Sequence, residues 1–201
     1  MKRGFAYLIA LAFAATLCAC APGAPAAPAT PPASQADLSV YPAVDMSRYT
    51  AFGGTNETLS TYYDVSVLDV QSMMAEGKSF VLFCAFPDCP WCEALLPILD
   101  EVAAEAGWPI ALIDTRKDPS WKSNLDIDDY DVFKELFGDY LEEDENGEPH
   151  LYVPDLYFVR DGVVVEHRQG VLEGFDDPNA AFTDAQRAEL AGLLRGYFAK
   201  L

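Results

Sequence analysis

F-C-A-F-P-D-C-P-W-C-E-A-L-L-P-I-L-D-E-V-A, residues 83–103, is the stretch from which the fold is read. Its first residues close a continuous apolar run, Ser79 to Ala85, bounded by Lys78 and a short loop. Such a run predicts a central strand covered on both faces. Leu95, Leu99, Val102 and Ala106 then recur at helical spacing, so a helix starts at or just after Cys89. Pro90 suits the first helical position, where its missing N–H costs nothing. Gly107 suits the end. Pro90 and Trp91, the two residues between Cys89 and Cys92, place both sulfurs in the first turn. That is within reach of a disulfide, whose Cα atoms sit about 5.5 Å apart. Cys89 lies on the positive end of the helix dipole, an environment that favours thiolate over thiol.

This register resembles the active site of thioredoxin-like proteins. C-x-x-C at 89–92 is followed by a proline five residues past the second cysteine, Pro97, and then by I-L-D-E-V-A, Ile98 to Ala103. A bare C-x-x-C is a weak signal; one behind an apolar strand with this helix after it is specific. The resemblance covers roughly Tyr62 to Leu201. It implies an α/β thioredoxin-like fold: a central mixed sheet flanked by helices, with an acidic helical insertion before the cis-proline strand. It further implies that Cys89 is the nucleophile and that Cys92, more buried, resolves the mixed disulfide. Pro97 would kink the helix as the family's helix proline does. Pro154 would be the cis-proline facing the two cysteines. Its role would be to expose the backbone of Val153, so that a substrate chain pairs with it as an added strand, and to keep metal off the thiols. The acidic insertion and the N-terminal extension are similar to those of thioredoxin-like proteins of the bacteriocin transport accessory type.

Upstream, residues 1–20 read as a secretion signal: Lys2 and Arg3, then an apolar core from Phe5 to Leu17. Leu17-Cys18-Ala19-Cys20 resembles a bacterial lipobox, with Cys20 as the lipid-modified residue. The rival reading is a plain signal peptide cut after the Ala-rich run, or a retained anchor. Ala21 to Ala36 is Ala/Pro/Thr/Ser without charge or periodicity and is expected to be an extended tether. Asp37 to Thr61 is ambiguous; Tyr41, Met46, Tyr49 and Phe52 are expected to pack onto the domain. The chain divides as signal 1–20, tether 21–45 and domain 46–201. This arrangement implies a domain outside the cytoplasm, anchored to a bacterial membrane through lipid, in an oxidising compartment.

Downstream, the pattern predicts a strand from Tyr62 to Val67, a helix from Leu68 to Glu76, and a strand from Pro109 to Asp114. Tyr130, Phe133, Phe137 and Tyr140 form the stripe of an amphipathic helix. Leu156 to Arg160 and Val163 to His167 are strands joined by a tight turn at Asp161-Gly162. Thr183-Asp-Ala-Gln186 is a capping box before a last helix with Leu190, Leu194, Tyr197 and Leu201 on its apolar face. The net charge of −19 argues against nucleic acid, which needs a basic face. Asn124 to Glu148 alone holds eleven acids against one lysine. It reads as a solvated helix and loop, with docking of basic partners as the sharper alternative. Asp126, Asp128, Asp129 and Asp131 lack the glycine and distal Glu of a calcium loop.

The dithiol points to thiol–disulfide exchange with protein or peptide substrates. It needs no dissociable cofactor, only an unidentified redox partner. A structural zinc site would need four ligands, and no second C-x-x-C or H-x-H cluster exists. Cys84 reads as an inert core thiol rather than a third redox partner, and Trp91 is expected to be exposed, as an apolar contact for substrates or as a shield for the disulfide. Three departures from the thioredoxin pattern stand out. The loop before Cys89 is Phe86-Pro87-Asp88, without tryptophan. Leu82, Phe83 and Cys84 replace the buried strand aspartate. Asp155 follows the proline where threonine is usual. Asp88, Glu93 and Asp155 would raise the Cys89 pKa against the helix dipole, leaving the sign of the net shift open. Two rival functions remain: a copper-binding module using Cys89, Cys92 and His150, and a docking protein for an exporter whose acidic surface is the working part.

Overall fold

The computed structural model describes residues 34–116 and 127–201. The signal segment with Cys20, most of the tether and Asp126 lie outside the described residues.

The apolar run becomes β2 (Phe80–Ala85), with every residue buried. It sits in the middle of a five-stranded sheet. β1 (Tyr62–Asp64) and β3 (Ile110–Asp114) precede and follow in sequence; β6 (Asp155–Arg160) and β7 (Val163–Gln169) complete the order β1-β3-β2-β6-β7. β1 and β2 both run parallel to β3, whereas β6 is antiparallel to β2 and to β7. A mixed sheet follows from the connections. The crossovers from β1 to β2 and from β2 to β3 keep the chain direction, whereas the long connection from β3 to β6 and the two-residue turn at Asp161-Gly162 each reverse it.

Because side chains alternate along a strand, β2 feeds two cores. Val81, Phe83 and Ala85 face α2 (Pro90–Ala106) and α4 (Asp184–Phe198). Phe80, Leu82 and Cys84 face α1 (Val67–Ala75) and α3 (Tyr130–Phe137). A central mixed sheet with helices on both faces, and the cysteine pair at the start of the helix after the central strand, is the thioredoxin-like fold. Among the described residues no helix is long and apolar enough to cross a membrane.

α2 starts where the proline at its first position allows, continues through Pro97, and ends at Gly107 in the left-handed conformation. The Thr183–Gln186 capping box forms as read. α1 carries a second one, Ser66 with Asp69. The stripe Tyr130, Phe133, Phe137 is α3, but Tyr140 falls in a following 3-10 turn, Gly138–Tyr140. A small hairpin, β4 (Glu142–Glu143) with β5 (Pro149–His150), was not foreseen in the sequence.

The structure packs the chain against the sheet from Ser34 onward. Ala36 N–H donates to Ser79 O at 2.8 Å and Ser79 N–H to Ser34 O at 2.7 Å, while Leu38 is buried. Two short 3-10 turns, Leu38–Val40 and Met46–Arg48, are each capped by an aspartate, Asp37 and Asp45. Ala36, Leu38, Met46 and Tyr49 of this segment are buried against the rest of the domain.

Candidate active site

Cys89 is the N-cap of α2, and its Sγ accepts from the Cys92 N–H at 3.4 Å. The otherwise unpaired amides of a first helical turn thus converge on this sulfur. Contact with the Cys92 side chain and the backbone N–H groups of Cys92 and Trp91 hold the Cys89 thiol below its ordinary pKa; burial and the Glu93 carboxylate work in the other direction. Cys92 is fully buried. Burial first, and then the neighbouring Cys89, push its thiol well above the usual value. The two thiols are therefore shifted in opposite directions.

The loop before Cys89 is bent by Asp88, which takes a left-handed φ of 64°. Arg116, just past β3, pins this loop. Its guanidinium lies 4.2 Å over the Phe86 ring and donates to Pro87 O at 2.8 Å, with the Asp88 carboxylate 3.8 Å away. Nothing in the local sequence announces that clamp. Glu93, in the first turn of α2, accepts from the backbone N–H of Thr50 at 3.0 Å and of Ala51 at 2.6 Å, tying the N-terminal segment to the site. Deeper in the helix, Asp100 is buried and accepts from Leu59 and Ser60 N–H.

Across from the cysteines, the Val153–Pro154 bond is cis, and Val153 O lies 3.9 Å from Cys89 Sγ. Pro154 is buried and Val153 half-buried. Trp91 departs from its expected exposure. It is half-buried and packs edge-on against Phe175, ring centroids 6.1 Å apart, because the loop after β7 rises to meet it. Trp91, Val153, Pro154, Val171 and Phe175 line a groove beside the cysteines, of a size usual for ligand clefts.

Asp155 does not face the thiols. It lies on the α1/α3 side of the sheet opposite Cys84, almost fully buried. Its carboxylate accepts from Tyr157 Oη at 2.6 Å and lies 2.7 Å from His167 Nε2. Burial raises its pKa, against the lowering effect of His167 and Tyr157. Of the three carboxylates expected to oppose the dipole, Glu93 does so, Asp88 turns to Arg116, and Asp155 builds this separate network. Sequence reasoning missed the network because its partners meet only through the β6–β7 register, Tyr157 against His167. His150 sits in β5 with its ring 4.6 Å from that of Tyr152. Among the described residues no group of three or more His, Cys, Asp or Glu side chains is arranged to hold a metal.

A scan of protein families finds no match to this chain, and a search of curated proteins finds none either. Among solved structures, the chain is similar to a thioredoxin from Trypanosoma brucei brucei. The identity is 16%, 73% of this chain and 95% of that one are covered, and the TM-score is 0.43.

Proposed function

We propose that the protein is a thiol–disulfide oxidoreductase of protein or peptide substrates, working outside the cytoplasm and held to a membrane by lipid on Cys20. The observation that carries the chemistry is the placement of the two sulfurs: Cys89 caps the helix, its Sγ accepting from the Cys92 N–H at 3.4 Å, and Cys92 is fully buried in the first turn behind it. In the reducing direction the Cys89 thiolate attacks a substrate disulfide. Its S–S bond breaks, one substrate sulfur leaves as thiolate, and a mixed disulfide forms. Cys92 then gives up its proton and attacks Cys89 Sγ, and the second substrate sulfur leaves. The dithiol has lost two electrons and two protons, and the substrate has gained them. The oxidising direction is the reverse. Val153, beside the proline, offers its backbone to the substrate chain, and Trp91 forms one wall of the groove.

The test is equilibration of the soluble domain with glutathione. A potential near −270 mV marks a reductase that must be re-reduced by a partner, and one near −120 mV an oxidase. Cys89→Ser should abolish exchange in either case. A pair that never equilibrates would sink the proposal.

A further inference from the structure

We infer that the groove beside Cys89 selects extended, lysine- or arginine-bearing segments flanking the substrate cysteine, an inference that rests on the exchange chemistry proposed above. The groove has an apolar floor, where Trp91 meets Phe175 and Val171 is buried. Its margins are acidic. Glu142 of β4 and Glu173 both line it, and Glu173 is followed closely by Asp176 and Asp177. All four carboxylates are exposed, and among the described residues none of them forms an ion pair. The one cation lining the groove, Arg168, is turned inward and donates to Val171 O.

Each lysine or arginine of the described residues is engaged with a carboxylate or a backbone carbonyl. A substrate cysteine must come up to Cys89 Sγ, beside Val153 O. A chain laid along Val153 as an added strand points successive side chains alternately into the groove and out toward its margins. An apolar residue on one side of that alternation meets Trp91 and Phe175, and a basic residue on the other meets the acidic margin. An acidic flank meets like charge there, which is costly for approach as well as for docking.

The experiment mixes the reduced domain with three peptides of one apolar core, each with its single cysteine capped by thionitrobenzoate. The flanks carry two lysines, two glutamines or two glutamates, and the release of coloured thiolate gives the second-order rate constant. The lysine peptide should react about tenfold faster than the glutamate peptide at low salt, with glutamine between. The gap should shrink in molar salt, where the screening length falls to about 3 Å, and in the Glu142→Gln/Glu173→Gln variant. Equal rates at low salt would overturn the inference while leaving the exchange chemistry standing. So would a lysine preference that survives unchanged in the variant. No thiolate release from any peptide would overturn both.

Discussion

Cys89 and Cys92 are two residues of one type made different by a single helical turn, and their titration carries the first prediction. With its pKa held below the ordinary thiol value, Cys89 should be alkylated by iodoacetamide at neutral pH, while Cys92, with its pKa raised, stays protected. Peptide mapping after a short pulse would show it, and equal labelling would contradict it. The stability consequence has a definite sign. A depressed thiol pKa stabilises the reduced fold above the unfolded thiol value, and this gain is lost as pH falls through the folded one. Cys89→Ala should therefore flatten the rise in urea midpoint over that window. Asp155 has the opposite sign. Its raised pKa means that its contribution is complete below the unfolded carboxylate value and declines as pH rises through the folded value. Tyr157→Phe would take from this buried carboxylate a 2.6 Å hydrogen bond and should cost about 1–3 kcal/mol in chemical denaturation. The capped cysteine was legible in sequence because cap, proline and apolar spacing are local signals. Asp155, Arg116 and the Glu93 tie to Thr50 were not, because each depends on a contact that only the folded sheet or the packed extension creates.

At the scale of elements, two glycines with similar backbones separate strain from crowding. Gly107 ends α2 at φ 73° with no atom within 4 Å of where a Cβ would sit. Gly107→Ala should cost only the left-handed backbone penalty, about 1–2 kcal/mol. Gly162, in the β6–β7 turn at φ 80°, would place a Cβ 2.3 Å from Met74 O at the end of α1. Its alanine variant must also push the hairpin off that helix and should lose clearly more in the same urea titration; equal losses would show that the turn moves freely. The continuous apolar run of β2 and the helically spaced apolar residues of α2, α3 and α4 lie close to where the sequence pattern puts them. The β4–β5 hairpin does not announce itself, since two-residue strands carry no period, although Asn146-Gly147 is a turn signal. The capped 3-10 turns of the N-terminal segment did leave a trace, the repeated Asp-x-Ser at 37–39 and 45–47. In both, the aspartate accepts from the serine N–H.

For the molecule as a whole, the sheet divides the interior in two, and the N-terminal segment contributes to both halves, Leu38 to one and Met46 and Tyr49 to the other. A chain begun at Met46 should thus be less stable than one begun at Ser34. The loss of the buried Leu38 side chain alone is worth about 1.5–3 kcal/mol, and thermal unfolding of the two proteins would measure the difference. Cys84 stands in the α1/α3 half, whereas Cys89 and Cys92 stand in the other. Three thiols so close in sequence admit three bridges, yet a bond from Cys84 to either partner would have to cross a hydrogen-bonded sheet. The fold in this way proofreads its own oxidation. If the proposed exchange chemistry holds, Cys89 and Cys92 are the pair that shares a side of the sheet, and the third thiol is kept out of circulation by the side of the strand on which it was placed.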